Sequence, residues 1–457
     1  MTNQLGPWAP YEPTPSDPWD LRKAAHLYRR AGFGATWGEL HRDLRDGPAS
    51  SIDRLLRPAE PTDEEQQILD LLRQGVLDTN DAERLKAWWL YSILSGPDPL
   101  REKLTLFWHG HFATSNHKVH SVPFMLRQNE LFRRHALGDF AELLRGVCAD
   151  PAMLVWLDGG DNRKERPNEN FAREFQELFT LGLGHYTEKD VREAARAFTG
   201  WVENRDYGFP ARRQFHFDRA AFDDGEKTFL GRTGHWQAGD IVRITLEQPA
   251  CANFLCRKLY RFFVGENAAP PADLIAPLAR ELRSHGYVIR HVVEIILRSR
   301  HFFSAAAYRQ RIKGPVEFSA GLVRVLEVPR GGMNLLALAA ACEGQGQDLF
   351  YPPNVKGWDG GRTWLTSITL LERGNWVSDV IWGNATVGVM PYDPLAWAKA
   401  HGLRSDQAAA ALADLLLQSD LDPRARALID RTAAPATADA LRKTLQMDLH
   451  TPDFNLA

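Results

Sequence analysis

Apolar residues recur at helical spacing through nearly all of this 457-residue chain, and the pattern lapses in two places. An amphipathic helix must bury its apolar stripe against another element, so a chain patterned this way packs as a multi-helix globular body of the mainly α class. The first lapse, residues 202–238, mixes polar and aromatic residues with several glycines and reads as a partly extended insertion or lid. Within it a hairpin is expected around Gln214–Phe217 and Thr228–Leu230. The second, Leu349–Trp364, reads LFYPPNVKGWDGGRTW, an irregular loop rich in Gly, Pro and Trp. The GPDP run at Gly96–Pro99 breaks one long helical pattern in two. No repeat of fixed period marks a solenoid. Three units are expected: an extended Pro-rich segment over 1–19, a helical core over 20–390 containing 202–238, and a C-terminal helical segment over 391–457.

Composition narrows the function classes. Lys and Arg number 55 against 58 Asp and Glu, a formal net charge of −3, so nothing pulls the chain toward nucleic acid or an anionic membrane. The basic run RKLYRFF at Arg257–Phe263 reads as an amphipathic helix face. Hydrophobic residues at 44% and charged residues at 25% exclude a disordered or fibrous chain. Cys148, Cys251, Cys256 and Cys342 include no CxxC pair, and the offset of Cys251 and Cys256 turns them to different helix faces, so reduced thiols are expected. No stretch approaches the roughly 18 apolar residues of a membrane span. The N-terminus lacks a basic region followed by an apolar one, so the chain as given is expected to be cytoplasmic; signal removal and export with a partner stay open.

Three motifs gather the chemistry. In KLTLFWHGHFATSNHKVH, His109 and His111 sit at a helix end, where imidazoles serve metal binding, acid–base work or simple capping; His117 and His120 are weaker candidates. In NENFAREFQELFTLGLGH, Asn170, Glu174 and Glu177 line the border of the stripe formed by Phe171, Phe175, Leu178 and Phe179. A carboxyl at an apolar border gains a raised pKa, which suits a general acid or a buried metal ligand; the plainer alternative is an Arg173–Glu177 surface pair beside a satisfied Glu174. In YPPNVKGWDGGRTWL, Trp358 and Trp364 flank Asp359 and Arg362. Trp faces beside a carboxylate and an Arg form the wall of a sugar groove, or the two rings plug the loop onto the body.

Together with AAHLYRRAGFGAT, EKTFLG and FLCRKLYRFFV, these motifs resemble the bacterial family catalogued as domain of unknown function 1800, over roughly residues 20–430. The resemblance carries over to His109, His111, Asn168, Glu169, Asn170, Arg173, Glu174, Glu177, Trp201, Trp358 and Gly361. It implies no chemistry by itself. It does imply a partner, since many members are encoded beside a family of alkaline-phosphatase-like fold that carries export signals.

Three functions are compatible with these residues. The first is a hydrolase acting on carbohydrate, with Glu174, Glu177, His109, His111 and Asp359 as the catalytic set and Asn170, Arg173, Trp201, Trp358, Arg362 and Trp364 binding substrate. The second is a divalent-metal-dependent enzyme with His109, His111 and Glu174 as ligands. The third is a non-catalytic helical scaffold whose polar motifs form a buried hydrogen-bond network. A His/carboxylate di-metal redox protein is disfavoured by the lack of paired Glu-x-x-His helices. An enzyme requires Glu174, His109 and Asp359 to share an open pocket; a scaffold requires them buried and mutually satisfied.

Overall fold

The computed structural model describes residues 6–204, 214–266, 270–418, 420 and 423–457. Helices dominate them, and the strands form two small antiparallel pairs, as the mainly α pattern predicts. Local signals set the helix ends. Asp98 caps helix Pro99–His111 by accepting the Arg101 N–H at 2.9 Å, and Pro99 takes the first position, where no N–H is needed. The preceding helix, Ala82–Ser95, ends at Gly96, so the GPDP run does separate two helices.

Extended structure falls inside the predicted excursion, with different partners. Trp201–Asn204 pairs with Gln214–Phe217, and Lys227–Phe229 pairs with Arg232–Gly234. Gln214–Phe217 and Thr228–Leu230 are therefore not two arms of one hairpin. The reason is local: Leu230 and Gly231 both take positive φ, 45° and 77°, and close a tight two-residue turn directly after Phe229. The Lys227–Phe229 strand is tied to helix Glu188–Ala197, since Thr228 N–H donates to Glu193 Oε2 at 2.9 Å and Leu230 N–H to Asp190 Oδ1 at 2.8 Å. Residues 205–213 of the excursion lie outside the described residues.

One continuous set of buried apolar side chains runs from Trp8 to Phe454. Trp8 is anchored by its indole N–H on the Leu274 carbonyl at 2.8 Å, which fixes the N-terminal segment to the body. At the other end, helix Ala438–Leu449 packs on Ser367–Trp382 and Ser405–Leu417. Beneath the end of helix Pro99–His111 lies an aromatic stack: Trp108 faces Phe112 at 5.8 Å and Phe140 at 5.6 Å, and Phe112 faces Phe132 at 5.8 Å. All four cysteines are free and buried, Cys251 and Cys256 included. No helix among the described residues is long and apolar enough to cross a membrane.

The core also contains charge. Helix Pro315–Val325 carries Glu317 into the interior, where its side chain is only 4% exposed. Arg311 grips it in a bidentate pair at 2.7 and 3.0 Å, Lys103 reaches it from helix Pro99–His111, and the Gly314 N–H donates to it at 2.8 Å. Burial alone would raise this carboxyl's pKa, but Arg311 and Lys103 hold it well below the usual carboxylate range. Lys103 in turn donates to the carbonyls of Arg29, at 3.1 Å, and Gly32, at 2.8 Å, at the end of helix Leu21–Ala31. Glu317→Gln leaves two buried cations without their anion, and stability should fall by about 3–5 kcal/mol. The check is thermal and urea unfolding at neutral pH. Because the carboxyl is depressed in the folded state, the wild-type advantage over Glu317→Gln should shrink as pH drops below the ordinary Glu value of about 4.3.

Candidate ligand-binding cleft

A cleft of about 290 Å³ opens between helix Pro99–His111, helix Pro249–Phe263 and the Tyr351–Leu365 loop. Glu317, Arg311 and Gly314 contribute to its lining, so the buried ion cluster touches the site. His111 and Lys258 line it beside Arg261, and Lys356, Trp358, Asp359 and Trp364 come from the loop. Glycine lets the loop reach this position. Gly357 has φ +80°, and a Cβ there would stand 2.5 Å from the carbonyl oxygen of Gly110. Only a residue without a side chain lets the loop close onto the helix end.

His111 is held at both ring nitrogens. Nε2 donates to the Phe179 carbonyl at 3.1 Å, and Nδ1 accepts from the Lys258 ammonium, also at 3.1 Å. Lys258 donates a second bond to the Leu178 carbonyl at 3.1 Å. These two carbonyls are available because they lie in the last turn of the helix, whose final carbonyls have no intrahelical partner; the turn itself, Phe175–Thr180, is π-helical, with Leu181 N–H donating five residues back to Gln176. Burial, together with the Lys258 charge, pushes the His111 pKa well below its ordinary range, so the ring is neutral. His109 points away from the cleft. Its Nε2 accepts the Phe350 N–H at 3.0 Å, its ring lies against Trp89, Phe350 and Trp358, and burial lowers its pKa to about 3. As neutral links, His109 ties the helix to the Leu349–Trp364 loop, and His111 ties it to the Phe175–Thr180 turn and to helix Pro249–Phe263. Together with the loop, they reproduce much of the buried network considered above, but with an open cleft beside it.

Lys258 is different. It is partly buried, it lines the cleft, and no carboxylate among the described residues pairs with it. Burial, and secondarily the Arg261 charge, lower its pKa to about 8. Arg261 and Lys356 also line the cleft and form no ion pair among the described residues. The acidic groups in the lining are Glu266, which accepts the Ile312 N–H at 2.9 Å, Glu317, already neutralised, and Asp359. Lys258 and Arg261 from helix Pro249–Phe263 and Lys356 from the loop therefore bring three cations to the cleft; Arg261 and Lys356 are exposed, Lys356 lies near Glu174, and Lys258 is the partly buried one without a countercharge among the described residues.

Of the residues singled out from sequence, His111, Trp358, Asp359 and Trp364 share this cleft. Trp364 is mostly buried, whereas Trp358 presents more of its ring. Glu174 stands outside the lining, on the last residue of the short helix Asn170–Glu174. Burial and then Glu177 raise its pKa, opposed by Arg173 and by Lys356, a residue the cleft also uses. Glu177 accepts the Tyr186 hydroxyl at 2.9 Å. Arg173 is committed to Glu188, at 2.8 Å through both amino groups, and to Glu169. It does not pair with Glu177. Asn170 donates to Asp158 at 3.1 Å, Trp201 packs edge-on to Phe217, and Arg362 is exposed beyond the lining. His109, His111 and Glu174 thus do not converge as metal ligands.

Lys258, Arg261 and Lys356 were missed from sequence. Their signal is faint but real: Lys258 lies four residues from both Phe254 and Phe262, an apolar line into which a surface lysine does not ordinarily fall.

The family comparison bears on the same segments. A family model matches residues 26–456, which include every residue of this cleft. The chain belongs to the family described as Protein of unknown function (DUF1800). No curated protein and no solved structure matches this DUF1800 chain.

Lys258 should titrate far below an ordinary lysine. With a folded pKa near 8 against 10.5 unfolded, it subtracts stability below about pH 8, and that loss is recovered as pH rises between the two values. Nuclear magnetic resonance of lysines labelled at Cε should show a titration midpoint near 8 that disappears in Lys258→Met. A Lys258 midpoint above 10 would contradict the electrostatics described here.

Proposed function

We propose that the cleft binds a small anionic ligand, and that the ligand is an acidic carbohydrate. Lys258 carries the reading. An ammonium partly removed from water, with only neutral acceptors around it, is unfavourable until an anion arrives. Arg261 and Lys356 supply further charge to orient a carboxylate, sulfate or phosphate. Trp358 provides a flat apolar face for a pyranose ring, and Asp359 an acceptor for its hydroxyls. A purely structural role accounts for His109 and His111 but leaves Lys258, partly buried, without a counter-charge among the described residues.

Acidic oligosaccharides such as uronate oligomers should raise the melting temperature and bind by calorimetry, while their neutral counterparts should not. Lys258→Met should weaken the acidic ligand by about 10–100-fold, the loss of one charge-assisted hydrogen bond. Affinity should also fall as pH rises through 8. Equal binding of neutral and acidic sugars, or indifference to Lys258→Met, would rule the reading out.

A second, hydrolytic reading draws on Glu174, which stands outside the cleft lining but within electrostatic reach of its Lys356, and whose carboxyl is held above the usual range by burial and by Glu177. A carboxyl that stays protonated longer suits proton donation to a leaving-group oxygen. Glu174→Gln should then abolish turnover of a bound acidic saccharide while leaving binding and melting nearly unchanged. A sharp loss of melting temperature in that variant would make Glu174 a structural carboxyl instead.

A further inference from the structure

Far along the chain from the cleft's loop, helices Ala272–Ser284 and Ile289–Arg298 meet at a short turn. Glu281 lies in the last turn of the first helix, His285 caps it, and His291 sits in the first turn of the second. Glu281 and His285 are four residues apart, the spacing that places two side chains on one helix face. The second helix brings His291 to the same point. His291 Nε2 lies 3.2 Å from Glu281 Oε2, and His285 Nδ1 lies 3.6 Å from the same oxygen. The two imidazole rings stack with centroids 3.5 Å apart, so an ion is reached by both nitrogens once one ring turns edge-on toward it. One ligand atom from each residue falls within 4.8 Å of the other two, and among the described residues no other group of three His, Cys, Asp or Glu does this.

We infer that Glu281, His285 and His291 form a binding site for a divalent transition-metal ion, with zinc as the type case. The spacing supports it. A tetrahedral ion with ligand bonds of about 2.0–2.1 Å sets neighbouring ligand atoms about 3.3–3.4 Å apart. The separations of 3.2 and 3.6 Å bracket that edge. Two imidazoles and one carboxylate are the donors that zinc and its neighbours prefer, whereas calcium and magnesium prefer oxygen alone. Three protein ligands leave a fourth position for water, and His285 faces solvent, so an ion has a path in.

The scaffold under the site is firmly held. Tyr287, between the helices, donates its hydroxyl to the Leu246 carbonyl at 2.6 Å, and its own carbonyl accepts the Phe140 N–H at 3.1 Å. Ile289 and Arg290 donate backbone N–H groups to Gly138, at 2.9 Å, and Leu137, at 3.1 Å. These bonds do not involve the three ligands, so the ligands can change without loss of the turn. Without metal, His285 Nδ1 is 2.9 Å from the Glu281 carbonyl and 3.1 Å from Ser284 Oγ. Binding through Nδ1 therefore displaces a proton from that nitrogen.

The test uses the full chain, stripped with a chelator and titrated with zinc against a chromophoric competitor. One equivalent should bind at micromolar zinc or tighter and raise the melting temperature. Cobalt should give the visible absorption of a tetrahedral ion. His291→Ala and Glu281→Gln should each weaken zinc by about tenfold or more, since even the loss of an outer partner of a metal ligand costs that much. The metal-free melting temperatures should stay close to wild type, because the three side chains are at least partly exposed. Zinc binding that survives in the His285→Ala/His291→Ala double variant, or no binding by the wild type, overturns the assignment. Should either single variant melt early, His285→Gln provides the same readout with less disturbance of the helix end.

Discussion

The Glu317 carboxylate holds the molecule together at its most demanding point. It lies in the interior, where an unpaired charge costs several kcal/mol. It is tolerated because Arg311, Lys103 and the Gly314 N–H surround it. The same contacts fix distant segments to one another. Lys103 ties helix Pro99–His111 to the end of Leu21–Ala31, and the Arg311 guanidinium lies over the Phe262 ring of helix Pro249–Phe263 at 4.8 Å. Arg373 reaches in from helix Ser367–Trp382 to the Lys313 carbonyl at 2.7 Å. The floor of the cleft is made of this cluster, so the site's shape and the fold's integrity rest on the same ions.

A second link sits above the first. At the end of the Phe175–Thr180 turn two carbonyls lack intrahelical partners, and Lys258 and His111 take them. Three parts of the chain, near residues 111, 178 and 258, meet through these bonds. These helix-end acceptors let a lysine amine sit at the cleft wall without a carboxylate. That absence of countercharge separates this cleft from an ordinary buried polar network, which satisfies its charges internally.

Much of this was legible in the chain itself. The mainly α class, the break at Gly96–Pro99 and the presence of strands among the described residues of the 202–238 excursion all follow from local periodicity and from where Gly and Pro interrupt it. The FWHGH helix end and the YPPNVKGWDGG loop meet because Gly357 permits the close approach to Gly110, whereas Glu174, expected to share one pocket with them, stands outside the lining. The pairing of strands was not legible, because a two-residue turn at Leu230–Gly231 closes a hairpin that alternation alone does not specify.

What the sequence by itself determined was which segments are helical, which loops are irregular, and that ionisable residues gather in a few motifs, since each depends on neighbours within a turn or two. What the tertiary structure alone decided was which of those residues are chemically free. His109 and His111 of the first motif are neutral and hydrogen-bonded, while Lys258, in a run that read as a plain helix face, lacks a countercharge among the described residues. The physical reason is that burial and partners are set across distances of tens to hundreds of residues. Lys258 meets a histidine 147 positions away, and His109 a backbone amide 241 positions away. No periodicity within a helix records such contacts.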